Sequence, residues 1–451
     1  MTSGNHRSSP AINNQSHGAA RTIARRRAVL GIVLACVLPA VRAAAQLPDS
    51  LKRPDSVRHV DSLAARHDPR PPIRFCAGGD VTLGTNLDTS WARTAARRLR
   101  GEWAQSAEPD SLLLPLRSLL SDADVVLLNV EGAIGQGPSP TKCARGSRNC
   151  FAFRQPVGSA RALRAVNDSV PVVGNVANNH ARDAGDLGFL ATLRHLTRAS
   201  VLVTGADTIA TPVPTRRGDT IAVLGFYTSP ESPDARDLAA VRRHVARAVE
   251  QYGTVVVTMH LGAEGPAAQR TRNATELFLE TIDRGNPVAF ADAAFEGGAT
   301  LVIGHGPHVL RAAEWRGDRL VLYSLGNLLT YGPFRNIEPM NRGAIACADI
   351  DSARSVRSAL LRSTVQLAPG ILRVDSSARA ATLIDSLSAL DFPMTGVVVS
   401  IDGTMRRRAA DSTSVPPPPP PPSRTARNGA SVQHRERSSI AMGPASPSRK
   451  K

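Results

Sequence analysis

The sequence predicts an α/β fold in which helices cover two stacked sheets. Apolar runs typical of buried strands alternate along the chain with segments whose apolar residues recur at helical spacing, and that alternation is typical of α/β domains. The last third of the domain, from residue 344, is richer in strand-like runs than in helical ones. We place this domain at residues 73–405, a length of about 330 residues that can enclose a hydrophobic core.

The individual elements are predicted from the spacing of apolar residues. Helical spacing predicts five helices, at residues 112–120, 160–166, 184–196, 235–252 and 276–283. Strand-like runs cover residues 73–80, 125–131, 170–176, 254–260 and 301–305, and further runs lie at 320–322, 360–361, 364–367, 370–372 and 397–399. No internal repeat accompanies these elements.

Five of the strand-like runs end in side chains that bind metal ions. A lone histidine in such a position is more often a hydrogen-bonded structural residue than a ligand. Divalent ions, however, take mixed carboxylate, imidazole and amide ligands, and ligands of open α/β sheets collect at the carboxyl ends of strands. The series therefore predicts a metal site. Its members are Asp80, Glu131, Asn178, Asn179, His180, His260, His305 and His308.

Six short blocks make the sequence resemble a known family. The blocks are Gly-Asp-Val-Thr-Leu-Gly at residues 79–84, Asn-Val-Glu-Gly at 129–132, Asn-Asn-His at 178–180, His-Leu-Gly-Ala-Glu at 260–264, Gly-His-Gly-Pro-His at 304–308 and Tyr-Ser-Leu-Gly-Asn at 323–327. Together they resemble the capsule synthesis protein CapA family over about residues 73–401. The resemblance implies a role in synthesis or export of poly-γ-glutamate capsule. It also implies a fold similar to the calcineurin-like metallophosphatases, a four-layer α/β/β/α sandwich of two mixed sheets.

The same resemblance implies a site for one or two divalent metal ions, with Mn, Zn, Fe and Mg as candidates. His180 would be the catalytic acid or a phosphate binder. The implied metal ligands are Asp80, Glu131, Asn179, His260, His305 and His308.

The chain departs from the metallophosphatase pattern at three places. Thr82 stands where that pattern has its first histidine, and Glu131 stands where it has an aspartate. Gly306 and Pro307 lengthen the final spacing between histidines by one residue. Loss of a ligand could leave one weak metal position.

Other residues of these blocks are candidates for substrate binding. Glu264 could orient a ligand or bind substrate, although a glutamate in a loop is more often merely solvated. Ser324 and Asn327 follow the run at 320–322 and reach the same sheet edge, but no nucleophile elbow surrounds Ser324. Asp183 could be the hydrogen-bond partner of an imidazole or the cap of the following helix.

Three functions are compatible with these residues. The first is a metal-dependent hydrolase or transferase acting on an anionic envelope polymer, with His180 protonating the leaving group. The second is a non-catalytic factor that binds the polymer or the capsule export machinery. The third is a general phosphoesterase, against which Thr82 argues.

The amino terminus predicts export. Arg25, Arg26 and Arg27 precede an apolar stretch at residues 28–41, and three alanines before Gln46 offer a cleavage site, so we assign residues 1–45 to a signal peptide. The paired arginines also fit a twin-arginine signal. Cys36 ends a marginal lipobox, so a lipid anchor is the alternative to a periplasmic or extracellular protein.

Cysteine spacing adds a disulfide prediction. Cys143 and Cys150 flank a short loop that a disulfide could close, as expected for an exported protein. Cys76 and Cys347 could form a second bridge, but Cys76 is also plausible as a small buried apolar residue. The spacing does not resemble a zinc ribbon.

The net charge of +17 comes mostly from the two ends of the chain. Residues 1–45 hold six arginines and no acid, and residues 406–451 hold ten basic and two acidic residues, so residues 46–405 carry only about +3. That balance gives no support for nucleic-acid binding. Residues 46–72 are a polar linker, and 406–451 form a disordered basic tail with a proline run at 416–422. Membrane contact is expected only through the signal segment or this tail.

Overall fold

The computed structural model describes residues 70–83, 85–86, 109–135, 137, 151–331 and 336–408. The predicted signal peptide, nearly all of the predicted linker and tail, and Cys36, Cys143 and Cys150 lie outside these residues. Within the described parts of the chain, no helix has both the length and the apolar character that crossing a membrane requires.

The described elements are numbered in chain order. The strands are β1 (Ile73–Thr82), β2 (Thr85–Asn86), β3 (Val125–Val130), β4 (Ala133–Ile134), β5 (Phe153–Gln155), β6 (Val172–Asn175), β7 (Leu202–Thr204), β8 (Thr211–Pro214), β9 (Thr220–Tyr227), β10 (Val255–His260), β11 (Leu277–Phe278), β12 (Ile282–Asp283), β13 (Leu301–His305), β14 (Ala313–Arg316), β15 (Arg319–Leu322), β16 (Asn327–Thr330), β17 (Arg342–Ile350), β18 (Val356–Leu367), β19 (Ile371–Val374), β20 (Val397–Val399) and β21 (Thr404–Arg407). The helices are α1 (Pro109–Leu119), α2 (Gly158–Arg164), α3 (Gly185–Arg198), α4 (Leu238–Tyr252), α5 (Pro287–Glu296) and α6 (Arg379–Asp391).

Two large mixed sheets dominate the fold. The first has the strand order β20-β21-β18-β17-β1-β3-β6-β7, with β16 beside β1 and β19 beside β18. In it, β1, β3, β6 and β7 run parallel, whereas β17 is antiparallel to β1. The second sheet has the order β14-β15-β13-β10-β9-β8, and β9, β10, β13 and β15 run parallel.

Side chains of alternate residues on the central strands face opposite layers, as the pleat of a strand requires. Phe75 and Leu127 of the first sheet pack with Val223 and Ile303 of the second in the central core. The outer face of the first sheet packs against α1, α2 and α3, and the outer face of the second against α4 and α5. This confirms the four-layer α/β/β/α sandwich of two mixed sheets.

Four of the five predicted helices are confirmed, and the one at residues 276–283 is wrong. That segment forms the hairpin β11/β12, with Leu279 and Glu280 at positive φ in its turn. Two main-chain hydrogen bonds close the hairpin. The amide of Glu276 donates to the carbonyl of Gly285 at 2.8 Å, and the amide of Arg284 donates to the carbonyl of Glu276 at 2.9 Å. The segment therefore satisfies its main chain as a hairpin and not as a helix.

Two helices were missed. α5 begins at Pro287, directly after Asn286, whose side chain accepts hydrogen bonds from the amides of Val288 and Ala289. An asparagine cap before a proline at the first helical position is a start signal that could have been read. α6 begins after Ala378, whose side chain makes no capping hydrogen bond, so its start carries no comparable signal.

A disulfide joins the first sheet internally. Cys76 of β1 and Cys347 of β17 face each other across the antiparallel pair, with their Cα atoms 4.0 Å apart, and are bonded through sulfur. The sequence left this pairing open, and the structure decides it. The bridge closes a span of 271 residues.

Candidate metal centre

Strand register brings the predicted ligands to two adjoining sheet edges. In the first sheet, Asp80 lies beside Asn129, and Asn129 beside Asn175. In the second sheet, His260 lies beside His305. All of these residues are near the carboxyl ends of parallel strands, where open α/β sheets place their ligands.

Two glycines let the segment at residues 323–327 lie against these strand ends. A β-carbon on Gly79 would lie 2.0 Å from the carbonyl oxygen of Gly326, and one on Gly304 would lie 2.1 Å from that of Tyr323. Atoms do not approach so closely without the backbone moving, so only glycine fits at either position. The segment then enters β16 with Asn327 in register with Asp80.

Asp80, Glu131 and His308 form the centre of the site. All three are buried, and one ligand-type atom from each lies within 4.8 Å of those of the other two. His308 Nδ1 is 3.2 Å from Asp80 Oδ2, and His308 Nε2 is 3.5 Å from Glu131 Oε1. His305 joins them, with Nδ1 3.6 Å from Asp80 Oδ1. Two carboxylates and two imidazoles suit a divalent transition metal ion.

Several polar atoms of this centre make no hydrogen bond of good geometry to the described residues. They are Asp80 Oδ2, both carboxylate oxygens of Glu131 and both ring nitrogens of His305, and all are buried. Leaving such atoms without a partner costs free energy, about 1–3 kcal/mol for each neutral group and more for a charged one. A divalent cation would satisfy them, so the residues present fit a metal ion.

Burial and neighbouring charges shift the pKa values of the centre, for some groups in opposite directions. Burial raises the pKa of Glu131 well above its usual value and lowers the pKa of His260 well below it. Burial would also raise the pKa of Asp80, but contacts with His305 and His308 hold it well below its usual value. For His308, burial is outweighed by the carboxylates of Glu131 and Asp80, which raise its pKa to about 10. The two carboxylates therefore stabilise positive charge placed between them.

Asn129 connects Asp80 to His260 through its side-chain amide. Its Nδ2 donates to Asp80 Oδ1 at 2.8 Å and contacts His260 Nδ1 at 3.2 Å. Its Oδ1 accepts hydrogen bonds from the side-chain amides of Asn175 and Asn178, at 2.9 and 3.3 Å. A carboxylate ligand that is held by such a partner keeps its orientation.

His260 and Asn179 lie at one side of the centre. His260 Nε2 is 3.7 Å from Glu131 Oε1 and hydrogen bonds to Asn179 Oδ1 at 2.8 Å. Asn179 Nδ2 in turn donates to Glu264 Oε1 at 3.3 Å, and the same oxygen lies 2.9 Å from Arg284 Nη2. The interpretation of Glu264 as merely solvated is wrong, because its side chain is only 11% exposed and is engaged by an amide and a guanidinium.

His180 is oriented by Asp183. Its Nδ1 lies 2.6 Å from Asp183 Oδ2, and its ring packs on Phe153 with centroids 4.2 Å apart. Asp183 also accepts a hydrogen bond from the amide of Phe153, and the cap position of α3 is Ala184. Of the two roles considered for Asp183, partner of an imidazole and helix cap, the structure shows the first.

The remaining candidates support the centre from its edges. Asn327 Oδ1 lies 2.9 Å from His308 Nδ1, so Asn327 holds a candidate ligand. Ser324 Oγ accepts a hydrogen bond from the amide of Gly326 and so stabilises the turn. Thr82 is buried and donates to the carbonyl oxygen of Glu131 at 2.9 Å. Its hydroxyl therefore fixes the backbone of a ligand-bearing residue.

Sequence reasoning missed Asn129, Arg284 and Tyr227 as parts of this site. Asn129 was within a recognised block, two residues before Glu131, and could have been found from that position. Arg284 is 2% exposed and lies 5.4 Å from the ring centroid of Tyr227, whose ring packs edge-on to His260. Nothing in the local sequence around Arg284 signals this position.

A cleft of about 400 Å³ opens beside Asn179 and Tyr227. Its walls include Asp183, Arg182 and Ser229, and it therefore passes the residues that flank His180. A second group of possible metal ligands, formed by Cys76, Cys347 and Asp122, is accounted for by the disulfide.

Comparison with known proteins assigns the chain to a family. Residues 74–331, which include every predicted metal ligand, match the model of the bacterial capsule synthesis protein PGA_cap family. The chain belongs to this family. It is 26% identical over 188 residues to the PGA biosynthesis protein CapA of Bacillus subtilis (strain 168), a match that covers 37% of this chain and 45% of that protein. It is 25% identical over 186 residues to the capsule biosynthesis protein CapA of Bacillus anthracis, with 37% and 42% covered.

The chain thus matches less than half of the length of these two CapA relatives. Among solved structures, a 5'-nucleotidase precursor from Thermus thermophilus is similar at 11% identity and a TM-score of 0.36, over 71% of this chain and 59% of that one. The protein is therefore a capsule-synthesis family member with a buried Asp/Glu/His group suited to a divalent ion.

Proposed function

We propose that this PGA_cap family protein is exported and acts in the synthesis or export of an anionic capsule polymer such as poly-γ-glutamate. We propose further that it does so as a metal-dependent hydrolase or transferase, with one or two divalent ions held by the centre around Asp80 and Glu131. Mn, Zn, Fe and Mg are the candidate ions. The capsule export machinery and the polymer are the proposed partners.

One observation carries the proposal of metal binding. The buried oxygens of Glu131, the Oδ2 of Asp80 and the ring nitrogens of His305 make no hydrogen bond to the described residues and converge on one centre with His308. A structural cluster without an ion would be expected to satisfy such atoms with protein donors and acceptors. Their convergence fits a cation.

A divalent ion in this centre would polarise a phosphoryl or acyl oxygen and lower the pKa of a bound water molecule. The residues of the chain would provide orientation and a proton. His180 is the candidate acid for the leaving group, because Asp183 fixes its Nδ1 and so sets the tautomer and the ring plane. The adjoining cleft of about 400 Å³ gives a polymer chain room to approach.

Two further features support the choice of compartment and polymer. The bridge between Cys76 and Cys347 is of the kind that persists in exported proteins, in agreement with the predicted signal peptide. The two curated relatives are named for PGA and capsule biosynthesis, and an anionic polymer is the substrate class that those names suggest.

A non-catalytic polymer-binding role is the second candidate, and Thr82 favours it. At this position the chain has a hydroxyl that is used for a backbone hydrogen bond with Glu131 instead of a metal-binding imidazole. A centre with fewer ligands could bind an ion for structure or polymer contact and have no turnover.

Elemental mass spectrometry of the purified protein tests the proposal directly. Asp80→Asn and Glu131→Gln keep the size of each side chain and remove its charge, and Glu296→Gln, at a residue 60% exposed, is the matched control. We expect about one or two equivalents of divalent metal in the wild-type protein and in the control, and a large loss in both centre variants. Protein that stays metal-free after incubation with Mn²⁺, Zn²⁺, Fe²⁺ and Mg²⁺ would contradict the proposal of a metalloenzyme.

Turnover separates the remaining candidates once metal is bound. Release of new amino groups from poly-γ-glutamate supports the hydrolase. Polymer binding without turnover supports the non-catalytic role, and hydrolysis of small phosphate esters alone supports a general phosphoesterase.

A further inference from the structure

We propose that Arg284 is a substrate-binding residue, whose guanidinium takes a carboxylate of the polymer beside the metal centre. This inference rests on the proposed function, which supplies an anionic polymer as the substrate. It names the residue that distinguishes such a polymer from a neutral one of the same shape.

Two arginines are almost completely buried beside the loop that follows β10. Arg284, at the base of the hairpin β11/β12, is 2% exposed, and Arg311 is 1% exposed. Both donate to main-chain carbonyls of the loop at residues 261–268. Burial of a charge is costly unless its donors find acceptors, so the donors of these two side chains can be compared.

Arg311 uses all three nitrogens of its guanidinium within the protein. Its Nη1 and Nη2 donate to the two carboxylate oxygens of Glu276 at 2.8 and 2.7 Å. Its Nε donates to the carbonyl of Ala268 at 2.7 Å, and Nη2 also donates to that of Ala263 at 3.3 Å. Arg311 therefore has a structural role, in which it ties the loop to the hairpin.

Arg284 is less completely used. Its Nε donates to the carbonyl of Gly262 at 3.3 Å. Its Nη2 lies 2.9 Å from Glu264 Oε1, but it makes no hydrogen bond of good geometry to the described residues. The carboxylate thus offsets the charge of the buried guanidinium while the N–H bonds of Nη2 point elsewhere. A buried donor of this kind calls for an acceptor that the protein itself does not supply.

The unused donor faces the metal centre. Gly306 lies between the candidate ligands His305 and His308. A β-carbon on Gly306 would lie 3.3 Å from Arg284 Nη2 and 3.2 Å from His260 Cδ2. Glycine at this position therefore leaves space between the guanidinium and the side of the centre formed by His260.

The same guanidinium lies behind the wall of the cleft. It is 5.4 Å from the ring centroid of Tyr227, and Tyr227 and Asn179 both line the cleft. Arg284 is about as buried as Glu131, which is 0% exposed, so a substrate group that reaches an ion at Glu131 can also reach Arg284. A group that enters along the cleft passes Tyr227 and Asn179 and arrives beside the guanidinium.

The geometry of a guanidinium favours a carboxylate as this group. Its planar N–H bonds match the paired oxygens of a carboxylate, and such charge-assisted bonds are stronger than neutral ones. A carboxamide has the same shape but carries no charge and turns N–H bonds towards a donor. A site built around a hydrogen bond to a charged group rejects an analogue that cannot make it.

The test measures the preference of the full protein for a charged ligand over a neutral ligand of the same shape. The ligands are a short oligomer of γ-linked glutamate and the same oligomer with its carboxylates converted to carboxamides, and inorganic phosphate is a third probe. Affinity is measured by titration calorimetry, and KM and kcat are measured where the oligomer is turned over. Elemental mass spectrometry gives the metal content, and circular dichroism shows that each variant folds.

Three substitutions change the anchor in different ways. Arg284→Met removes its donors, and the double variant Arg284→Met, Glu264→Gln does so without leaving a buried carboxylate unpaired. Arg284→Lys keeps the charge but loses the planar array of donors. Arg236→Met is the matched control, because the guanidinium of Arg236 also lies near Tyr227 but is already paired with Asp234.

We expect the wild type to prefer the charged oligomer by about 10–100-fold, the range of a hydrogen bond to a charged group. Both methionine variants should lose most of this preference through a higher dissociation constant and KM, with kcat and metal content little changed. Arg284→Lys should fall between them and the wild type, and Arg236→Met should keep the full preference.

A preference that survives in both methionine variants, or a wild type that binds the two oligomers equally well, would overturn the inference and leave metal-dependent turnover standing. Loss of phosphate binding alone in these variants would also overturn it, because the guanidinium would then bind a phosphoryl group. Should the methionine variants not fold, a wild-type preference in Arg284→Lys would count against the inference. A wild type that neither binds nor turns over either oligomer contradicts the proposed function as well.

Discussion

Asn129 and Asp80 lie side by side on neighbouring parallel strands, and the amide of Asn129 donates to Asp80 Oδ1 at 2.8 Å. This bond leaves Oδ2 of Asp80 as the oxygen that faces His308. The amide therefore fixes the orientation of the carboxylate, with Oδ2 towards His308 and Oδ1 towards Asn129 and His305.

We expect Asn129→Leu to weaken metal binding by about 10–100-fold, the range found when a partner of a metal ligand is removed. Leucine has a similar volume but cannot hold Asp80, so the carboxylate can rotate. Affinity titration of the purified protein measures the effect, and Asn167→Leu, which removes a hydrogen bond to Leu120 far along the chain, is the control. An unchanged affinity in Asn129→Leu would show that Asp80 is held in other ways or does not bind the ion.

Asp183→Asn and His180→Gln should separate catalysis from metal binding. If His180 is the proton donor, both variants keep their metal, and turnover of the polymer falls by about 10²–10⁴-fold. Asp183→Asn acts through the orientation of the imidazole, and we expect it to change the pH profile as well as the rate. Loss of metal in either variant would place His180 in the metal centre instead.

The sequence was sufficient for the fold class and for the edge at which the site lies, because both depend on local patterns. Buried strands are continuous apolar runs, and Asp80, Glu131, His260 and His305 lie at or directly after their ends. What it could not give were the partners of His260 and His308. Asn129 contacts the Nδ1 of His260 and Asn327 contacts the Nδ1 of His308, and these partners lie 131 and 19 residues away along the chain.

The error at residues 276–283 has a comparable cause. Apolar residues at helical spacing are common to helices and to short hairpins with exposed apolar tips, and Leu277, Leu279 and Ile282 are all exposed. Directly before the hairpin, Glu276 is held by Arg311, whose guanidinium donates to both carboxylate oxygens at 2.7 and 2.8 Å. No local pattern encodes that pairing.

Removing the disulfide should destabilise the protein without altering the centre. For the double variant Cys76→Ala, Cys347→Ala we expect a loss of about 2–5 kcal/mol in the free energy of unfolding, since the bridge restricts the unfolded chain over a span of 271 residues. Urea unfolding measures it, and a reductant should destabilise the wild type by more than the variant, which keeps Cys143 and Cys150. Peptide mapping that finds both thiols free in the purified protein would contradict the pairing.

Acid should weaken the ion pair between Asp349 and Arg74. Burial raises the pKa of Asp349, but hydrogen bonds from Arg74 and Ser358 outweigh it and hold the pKa below its usual 3.8. Because the pKa is lower in the folded state, the pair stabilises the fold above pH 3.8, and this contribution is lost as the pH falls through the folded pKa. Unfolding measured from pH 5 to pH 2 should therefore show a shallower loss in Asp349→Asn than in the wild type, and parallel curves would contradict this.

Substitution of Gly304 tests whether close packing of residues 323–327 against the second sheet is needed to orient His308. A β-carbon there would lie 2.1 Å from the carbonyl oxygen of Tyr323, so we expect Gly304→Ala to cost about 3 kcal/mol or more, at or above the upper end for overpacking. Gly158→Ala is the control, because a β-carbon at this position would meet only Pro109, at 4.0 Å. Gly158 is the first residue of helix α2, where alanine is neutral or stabilising by up to about 1 kcal/mol. Since the displaced segment carries Asn327, and Asn327 holds His308, metal affinity should fall together with stability in Gly304→Ala. A variant that loses stability but keeps full affinity would show that the segment at residues 323–327 supports the fold without orienting the ligand.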